Sequence, residues 1–172
     1  MSIYKFENKM PKIAKTSYVH PQAAIIGDVE IADGCFIGAG AILRGDFGKI
    51  SIGRGTSIQE NCVIHVGEKG IVSIDSNVII AHGAILHDVT IESYVLVGMG
   101  SILMNGVFCE DHIMIAAGSI VKEDFHIPPN VVVAGSPARI LKPLSDDQRR
   151  RIHQGVKMYH DLVKRYKKSE GK

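Results

Sequence analysis

The fold of this chain is decided by residues 19–43, which read VHPQAAIIGDVEIADGCFIGAGAIL. An aliphatic residue recurs there at every sixth position, from Val19 to Leu43, and a small or β-branched residue follows each of the first four at an offset of four. A period of six fits neither the turn of an α-helix nor the simple alternation of a strand. It is typical of a short strand and a tight corner, repeated many times.

The same period continues far along the chain, with interruptions at only three places. The register slips by three residues at 45–48 and by four at 67–70, and one residue is missing between Leu86 and Ile91. Three strands and three corners close a coil of 18 residues, and such coils stack about 4.8 Å apart by parallel pairing. We therefore predict an all-β fold, a single-stranded parallel β-helix. An ordinary antiparallel β protein is the disfavoured alternative. The aliphatic or small inward positions are Val19, Ile25, Ile31, Ile37, Leu43, Ile52, Ile58, Ile64, Ile74, Ile80, Leu86, Ile91, Val97, Leu103, Cys109, Ile115 and Val121.

Both ends of the chain depart from the repeat. Residues 1–18 are a lead-in, and from His126 we expect the repeat to decay into an extended exit segment. Ser145 and Gln148 form a capping box, which predicts the start of a helix. Apolar residues at helical spacing follow as far as Val163. We therefore divide the chain into a β-helix domain at 1–144 and a C-terminal helix at 145–168 that packs on it.

Composition excludes several classes of function. The net charge of +2 is too small to predict nucleic-acid binding. No apolar run approaches the roughly 18 residues of a membrane span. The N-terminal residues lack the apolar core of a signal peptide. The three cysteines are odd in number and lack metal-type spacing, so we expect reduced thiols in a cytoplasmic protein.

Two histidines fall at the same point of neighbouring coils. His65 follows the inward Ile64, and His87 follows the inward Leu86. The two inward residues are 22 positions apart, which is one coil and the four-residue slip. The imidazoles therefore point outward side by side, at a separation that a metal ion can bridge.

A third histidine belongs to the same pattern only if another subunit supplies it. His82 lies one face earlier, so in a single chain it points away from His65 and His87. A symmetric trimer would bring the lone histidine of one chain to the pair of the next. Three neutral imidazoles with an open fourth position are typical of catalytic zinc. The other five histidines are expected to be surface or packing residues.

Other polar residues converge on these positions. By the same count Arg44 lies one coil above His65, and Asp46 follows it. Gln59 and Glu60 follow the inward residue of the neighbouring face. A carboxylate beside a ligating imidazole and an Arg–Asp pair would serve as a supporting shell and a subunit clamp.

Three segments together resemble the γ-class carbonic anhydrases. They are LRGD at 43–46, IQENCVIH at 58–65 and AHGAILH at 81–87, and VGMG at 97–100 with AGSPA at 134–138 extends the match over essentially the whole chain. The similarity is greatest to the bacterial γ-carbonic-anhydrase-like branch, which includes proteins encoded with carnitine or phenylacetate metabolism.

The resemblance implies a left-handed β-helix and a homotrimer with Zn²⁺, or alternatively Fe²⁺ or Co²⁺, at each interface. It implies reversible hydration of CO2 to bicarbonate by metal-bound hydroxide. His65 and His87 of one chain with His82 of its neighbour would be the ligands, and Arg44 and Asp46 the inter-subunit pair.

The resemblance also implies roles for three further residues. Gln59 and Glu60 would orient the reacting water, although Asp is more usual at position 60. Tyr159 resembles a tyrosine near the family's site. Two departures bear on the rate, because Phe47 replaces a glutamate and an acidic loop is reduced to residues 66–70.

Two other functions remain open. A hexapeptide acyltransferase, or a thioesterase acting on acyl-CoA, would use the same scaffold, because a fold does not determine a function. A non-catalytic, metal-binding trimeric partner protein is the second alternative.

Overall fold

The residues of the six-residue repeat form the interior of the molecule. The structure, a computed structural model, describes residues 2–68 and 70–169. Every inward position from Val19 to Val121 is at most 4% exposed, and all of them belong to one continuous apolar core. The chain is a left-handed parallel β-helix of about seven turns with one C-terminal helix, which confirms the predicted fold class.

Three flat walls enclose this core. The first wall consists of short parallel strands that form a sheet of their own. These strands are β3 (Tyr18–Val19), β5 (Phe36–Ile37), β7 (Ser57–Ile58), β10 (Ile79–Ile80), β13 (Leu96–Val97), β16 (Met114–Ile115) and β19 (Val131–Gly135). The last of them pairs with the antiparallel strand β20 (Ala138–Pro143), which carries the chain out of the β-helix.

The second and third walls share one sheet, because β4 (Ala24–Ile31) and β6 (Ile42–Ile52) continue around the corner between them. The second wall also contains β1 (Ser2–Tyr4), β8 (Val63–His65), β11 (Ile85–His87), β14 (Ile102–Leu103) and β17 (Ile120–Val121). The third wall also contains β2 (Lys12–Ile13), β9 (Ile71–Ile74), β12 (Thr90–Ile91), β15 (Phe108–Cys109) and β18 (His126–Ile127). The lead-in residues thus already pair with the β-helix through β1 and β2.

The repeat extends further than the sequence analysis predicts. The expected decay from His126 is wrong, because Ile127 and Val133 occupy the next two inward positions and are fully buried. They pair in register with Cys109 and Ile115 of the preceding coil. The intervening Pro–Pro–Asn segment, which we interpret from sequence as an exit, is a corner. Proline is compatible with a corner because a residue there does not have to donate a backbone hydrogen bond to a neighbouring strand.

Helix α1 (Asp146–Ser169) begins with the predicted capping box and covers the first wall. The Gln148 N–H donates to Ser145 Oγ at 3.2 Å, and the Ser145 N–H donates to Gln148 Oε1 at 3.1 Å. The helix runs back along the stack of coils, since Arg149 donates to Asn130 near the last coil and Lys167 donates to the Ser17 carbonyl near the first. One helical turn rises 5.4 Å, close to the coil spacing of about 4.8 Å, so successive turns meet successive coils.

The outward side chains of the three walls have three different environments. Those of the first wall, such as Phe36 and Met114, pack under α1. Those of the third wall are largely polar, as at Glu30 and Ser73. Those of the second wall are a row of aliphatic residues that no described element covers: Ala24, Ile42, Val63, Ile85, Ile102 and Ile120. Among the described residues, no helix is both long and apolar enough to cross a membrane.

Candidate metal centre

His65 and His87 lie side by side at the corner between the second and third walls. Their strands pair in register, and Arg44 stands opposite His65 one coil earlier. His65 Nδ1 and His87 Nε2 are 3.0 Å apart. The parallel β-helix forces this juxtaposition, because it repeats the position of each side chain once per coil.

Asp46 connects this pair of histidines to Arg44. Its carboxylate accepts a hydrogen bond from Arg44 at 2.5 Å and lies 3.0 Å from His65 Nε2. Burial of Asp46 favours its neutral form, yet the hydrogen bonds from Arg44 and His65 outweigh burial and hold the pKa of this carboxyl below its usual range. Asp46 is therefore an anion that fixes the ring of His65. In one chain Arg44 and Asp46 pair with each other, so their exchange across a subunit interface stays a prediction.

His82 lies at the other edge of the second wall, at the corner that leads from the first wall. Its Nδ1 is 2.6 Å from Glu60 Oε2, and no hydrogen bond from a described residue reaches its Nε2. The side chain is 49% exposed. His82 therefore projects outward, on the edge opposite to His65 and His87, as the repeat predicts.

Asp88 is a neighbour of the candidate ligands that the sequence analysis missed. Its Oδ2 lies 3.1 Å from Nδ1 of His87. The signal in the sequence is a carboxylate directly after a candidate ligand, but the spacing of the repeat does not say whether such a neighbour turns toward the ring. Each of the three candidate ligands thus has one ring nitrogen against a carboxylate, which is typical of histidines that bind a metal through the other nitrogen.

This donor set fits a zinc ion. Two donors at the usual Zn–N length of about 2.0–2.1 Å on a tetrahedral ion lie roughly 3.4 Å apart, so small rotations of His65 and His87 would admit the ion between them. Within residues 2–68 and 70–169, no three His, Cys, Asp or Glu side chains come together in a way that could hold a metal. A site with three histidine ligands would therefore need one of them from a second chain.

A groove of about 430 Å³ opens beside His82, between the first wall and helix α1. Its lining is mainly apolar and includes Met99, Met114 and Met158. Gln59 also lines it, is only 4% exposed and makes no side-chain hydrogen bond with a described residue. Its amide is therefore available to a molecule that enters the groove.

Tyr159 lies on the α1 side of the same groove. Its ring packs against Phe36, with centroids 5.2 Å apart. Burial, and then the negative charge of Glu60, raise the pKa of Tyr159 to about 12. The hydroxyl is therefore a protonated hydrogen-bond donor at neutral pH. The structure thus brings Gln59 and Tyr159 together with His82, while the catalytic roles of Gln59, Glu60 and Tyr159 stay predictions.

The two departures from the γ-class pattern lie at the corner of His65 and His87. Phe47 is 59% exposed, and its ring centroid is 6.0 Å from that of His65. In the short loop at 66–70, Glu68 is exposed, and Lys69 lies outside the described residues. An apolar ring therefore stands in place of an acid next to one candidate ligand.

Comparisons with known proteins agree with the fold. The family model described as bacterial transferase hexapeptide (six repeats) matches residues 10–45. The carnitine operon protein CaiE of Escherichia coli O157:H7 is 39% identical over 165 residues, which are 96% of this chain and 84% of CaiE. The mitochondrial gamma carbonic anhydrase 2 of Arabidopsis thaliana is 41% identical over 162 residues, which are 91% of this chain. The chain spans 58% of the length of this plant relative.

A solved structure extends the likeness to the whole fold. The crystal structure of a putative acetyltransferase from Bacillus cereus superposes with a TM-score of 0.95 and 30% sequence identity. The match covers 97% of each chain. The scaffold is thus shared by proteins named for two different chemistries.

Proposed function

The chain belongs to the γ-class carbonic anhydrase-like family of hexapeptide-repeat proteins, and we propose that it is a homotrimeric metalloenzyme that reversibly hydrates CO2 to bicarbonate. The observation that carries this proposal is the uncovered aliphatic wall with His82 along one edge and the His65–His87 pair along the other.

The environments of the three walls support a trimer. An uncovered row of aliphatic side chains on a soluble protein marks an interaction surface. Three copies can turn this second wall toward a common three-fold axis. The edge that carries His82 in one copy then meets the edge that carries His65 and His87 in the next copy, and the ring closes. The same rotation brings the partner's His82 toward His65 and His87. One arrangement therefore buries the aliphatic row and completes three ligand sets.

The chain's own residues would support hydration in defined ways. Zn²⁺, or alternatively Fe²⁺ or Co²⁺, when held by the three histidines, would act as a Lewis acid and lower the pKa of a water molecule toward about 7. Asp46 and Glu60 hold the rings of His65 and His82 in place. The unpaired amide of Gln59 can orient the reacting water, and the protonated Tyr159 can donate a hydrogen bond to bicarbonate.

Subunit complementation tests both the activity and the shared site. His82→Ala and His87→Ala should each lose metal and CO2 hydration when made alone. When the two variants are co-expressed, a His87→Ala chain supplies His82 to a His82→Ala chain, and roughly a quarter of the interfaces regain all three ligands. Elemental analysis and stopped-flow hydration measure the recovery. Co-expressed protein with no more metal or activity than the separate variants would refute a site shared between chains.

Thioester hydrolysis is a second candidate, which the groove beside His82 favours. Its volume lies in the usual range for small-molecule sites, about 300–1,000 Å³, and exceeds what CO2 requires. Methionine side chains adapt to apolar groups of varied shape. In this reaction the oxygen of water forms a bond to the acyl carbon, the C–S bond breaks, and the thiol leaves with a proton.

Narrowing the groove separates the two reactions. Ala116→Leu adds bulk to the lining of the groove without changing a candidate ligand. It should lower kcat/KM for acyl thioesters and leave CO2 hydration unchanged. Equal thioesterase activity in the variant and the wild type would exclude the groove as the acyl site. A metal-loaded trimer without turnover on either substrate would favour the non-catalytic partner role.

A further inference from the structure

Asp88 occupies a corner that is one residue shorter than the corners of regular coils. Only four residues lie between the inward Leu86 and the inward Ile91, one fewer than in a regular coil, so the chain turns directly after His87. Asp88 takes a left-handed conformation with φ of 50°. Aspartate tolerates this conformation better than most residues, because its short polar side chain bonds locally.

The carboxylate of Asp88 joins three different segments. Its Oδ1 accepts a hydrogen bond from the Gly67 N–H at 2.8 Å, and its Oδ2 accepts one from Asn105 Nδ2 at 3.1 Å. A Cβ atom at Gly70 would collide with Oδ1, so the loop backbone packs directly on this carboxylate. Asp88 is therefore held in place from both neighbouring coils.

The ring of His87 has an unsatisfied atom next to this carboxylate. Its Nδ1 is buried and makes no hydrogen bond with a described residue, although Asp88 Oδ2 is 3.1 Å away. A buried N–H without an acceptor is destabilising, because the group has lost its bonds to water. A small rotation of the ring would complete the bond, since Asp88 itself is fixed by its other contacts.

We propose that Asp88 is a positioning residue for the metal centre: it accepts a hydrogen bond from His87 Nδ1–H, directs Nε2 toward His65, and links this ligand to the loop at 66–70. The inference rests on the proposed metal site. Asp46 and Glu60 hold the other two ligands in the same manner, so Asp88 completes a set of one carboxylate for each histidine.

Asp88→Asn is the variant that isolates this role. Asparagine also tolerates the left-handed conformation, and its amide oxygen can still accept the Gly67 N–H, but the charge beside His87 is lost. Glu110→Gln is the matched control, because Glu110 Oε1 lies 2.6 Å from His126 Nε2 on the third wall, outside the site. Asn105→Ala is a second control that removes a contact of Asp88 and keeps its carboxylate.

The measurement is Zn²⁺ affinity of the full-length trimer by competition with a chromophoric chelator, together with the visible absorption of the Co²⁺-loaded protein. Asp88→Asn should bind Zn²⁺ about 10–100-fold more weakly and alter the Co²⁺ spectrum. Both control variants should match the wild type in affinity and spectrum.

The outcomes separate this proposal from the one on which it rests. Wild-type protein that binds no Zn²⁺ would overturn the metal site and the role of Asp88 together. Tight wild-type binding with an unchanged affinity and spectrum in Asp88→Asn would overturn the positioning role alone. An equal loss of affinity in Asn105→Ala would reduce Asp88 to a structural link between coils. If Asp88→Asn fails to assemble, Asp88→Gly, which suits the left-handed corner, replaces it in the same comparison.

Discussion

Replacing Ile85 with glutamate should dissociate the proposed trimer and empty the proposed metal site without unfolding the β-helix. Ile85 lies in the middle of the aliphatic row of the second wall, between Val63 and Ile102 of the neighbouring coils. Its side chain points away from the core, so the glutamate faces solvent in a single chain. In the trimer, three such carboxylates would meet near one axis.

The structure sets a lower limit for the effect. Burying a whole isoleucine side chain is worth about 1.5–3 kcal/mol. Ile85 is 42% exposed in the single chain, so its burial in the trimer contributes roughly 0.6–1.3 kcal/mol per chain, or about 2–4 kcal/mol per trimer. A loss of this size weakens assembly by roughly 30–700-fold. Removing the three glutamate charges from water would add a further cost to assembly of several kcal/mol for each charge.

Sedimentation equilibrium over a range of protein concentrations measures the assembly, and elemental analysis of the same samples measures the metal. Thr90→Glu is the matched control, since Thr90 is the exposed outward residue of β12 on the polar third wall. It should remain trimeric with the wild-type metal content. Ile85→Glu protein that stays trimeric and metal-loaded would refute the second wall as the interface, as would equal dissociation of Thr90→Glu.

Three further predictions concern the helix, the core and the groove. Ser145→Ala removes the hydroxyl that accepts the Gln148 N–H, so urea denaturation should show a loss of about 1 kcal/mol, and no loss would contradict the cap. Burial raises the pKa of Cys109 from its ordinary value of 9.0 to about 12, so folding favours the protonated thiol. The stabilisation from Cys109 is therefore complete below pH 9 and is lost as the pH rises toward 12, so the melting temperature should fall over that interval. A constant melting temperature would mean that the thiol ionises as easily in the folded protein as in the unfolded chain. Tyr159→Phe keeps the aromatic packing, so it should preserve the melting temperature and lower kcat for CO2 hydration by several-fold; an unchanged kcat would exclude a catalytic role for this hydroxyl.

The repeat predicts the site in so far as the site is a consequence of stacking. Counting residues through the insertions places Arg44, His65 and His87 on one column, and the register of the strands has them there. The count succeeds because the inward side chains must stay buried, so any insertion is forced into a corner. Handedness follows from the family resemblance alone, since the spacing is the same for either hand.

The features that spacing does not predict depend on contacts between side chains. The spacing does not predict the contact of Asp88 with His87, because this contact depends on the direction of the Asp88 carboxylate. Hydrogen bonds from Gly67 and Asn105 determine that direction. The error in the predicted end of the repeat at His126 has a similar cause. Pro128 and Pro129 normally signal departure from a sheet, but here they fall at a corner, where no strand hydrogen bond is needed.

All length variation in the coils occurs at one corner, and this corner lies beside two of the candidate metal ligands. The corners before the first and second walls always separate inward residues by six positions. The corner between the second and third walls also has six in regular coils, but it has nine from Leu43 to Ile52, ten from Ile64 to Ile74 and five from Leu86 to Ile91. The two long corners carry Asp46, Phe47 and the loop at 66–70, and the short one carries Asp88. A rigid scaffold with variable loops at one place allows the surroundings of a site to change without moving its ligands. His65 and His87 lie on the strands that lead into this corner, so the stack of coils holds these candidate ligands, while the corner determines which side chains lie beside them.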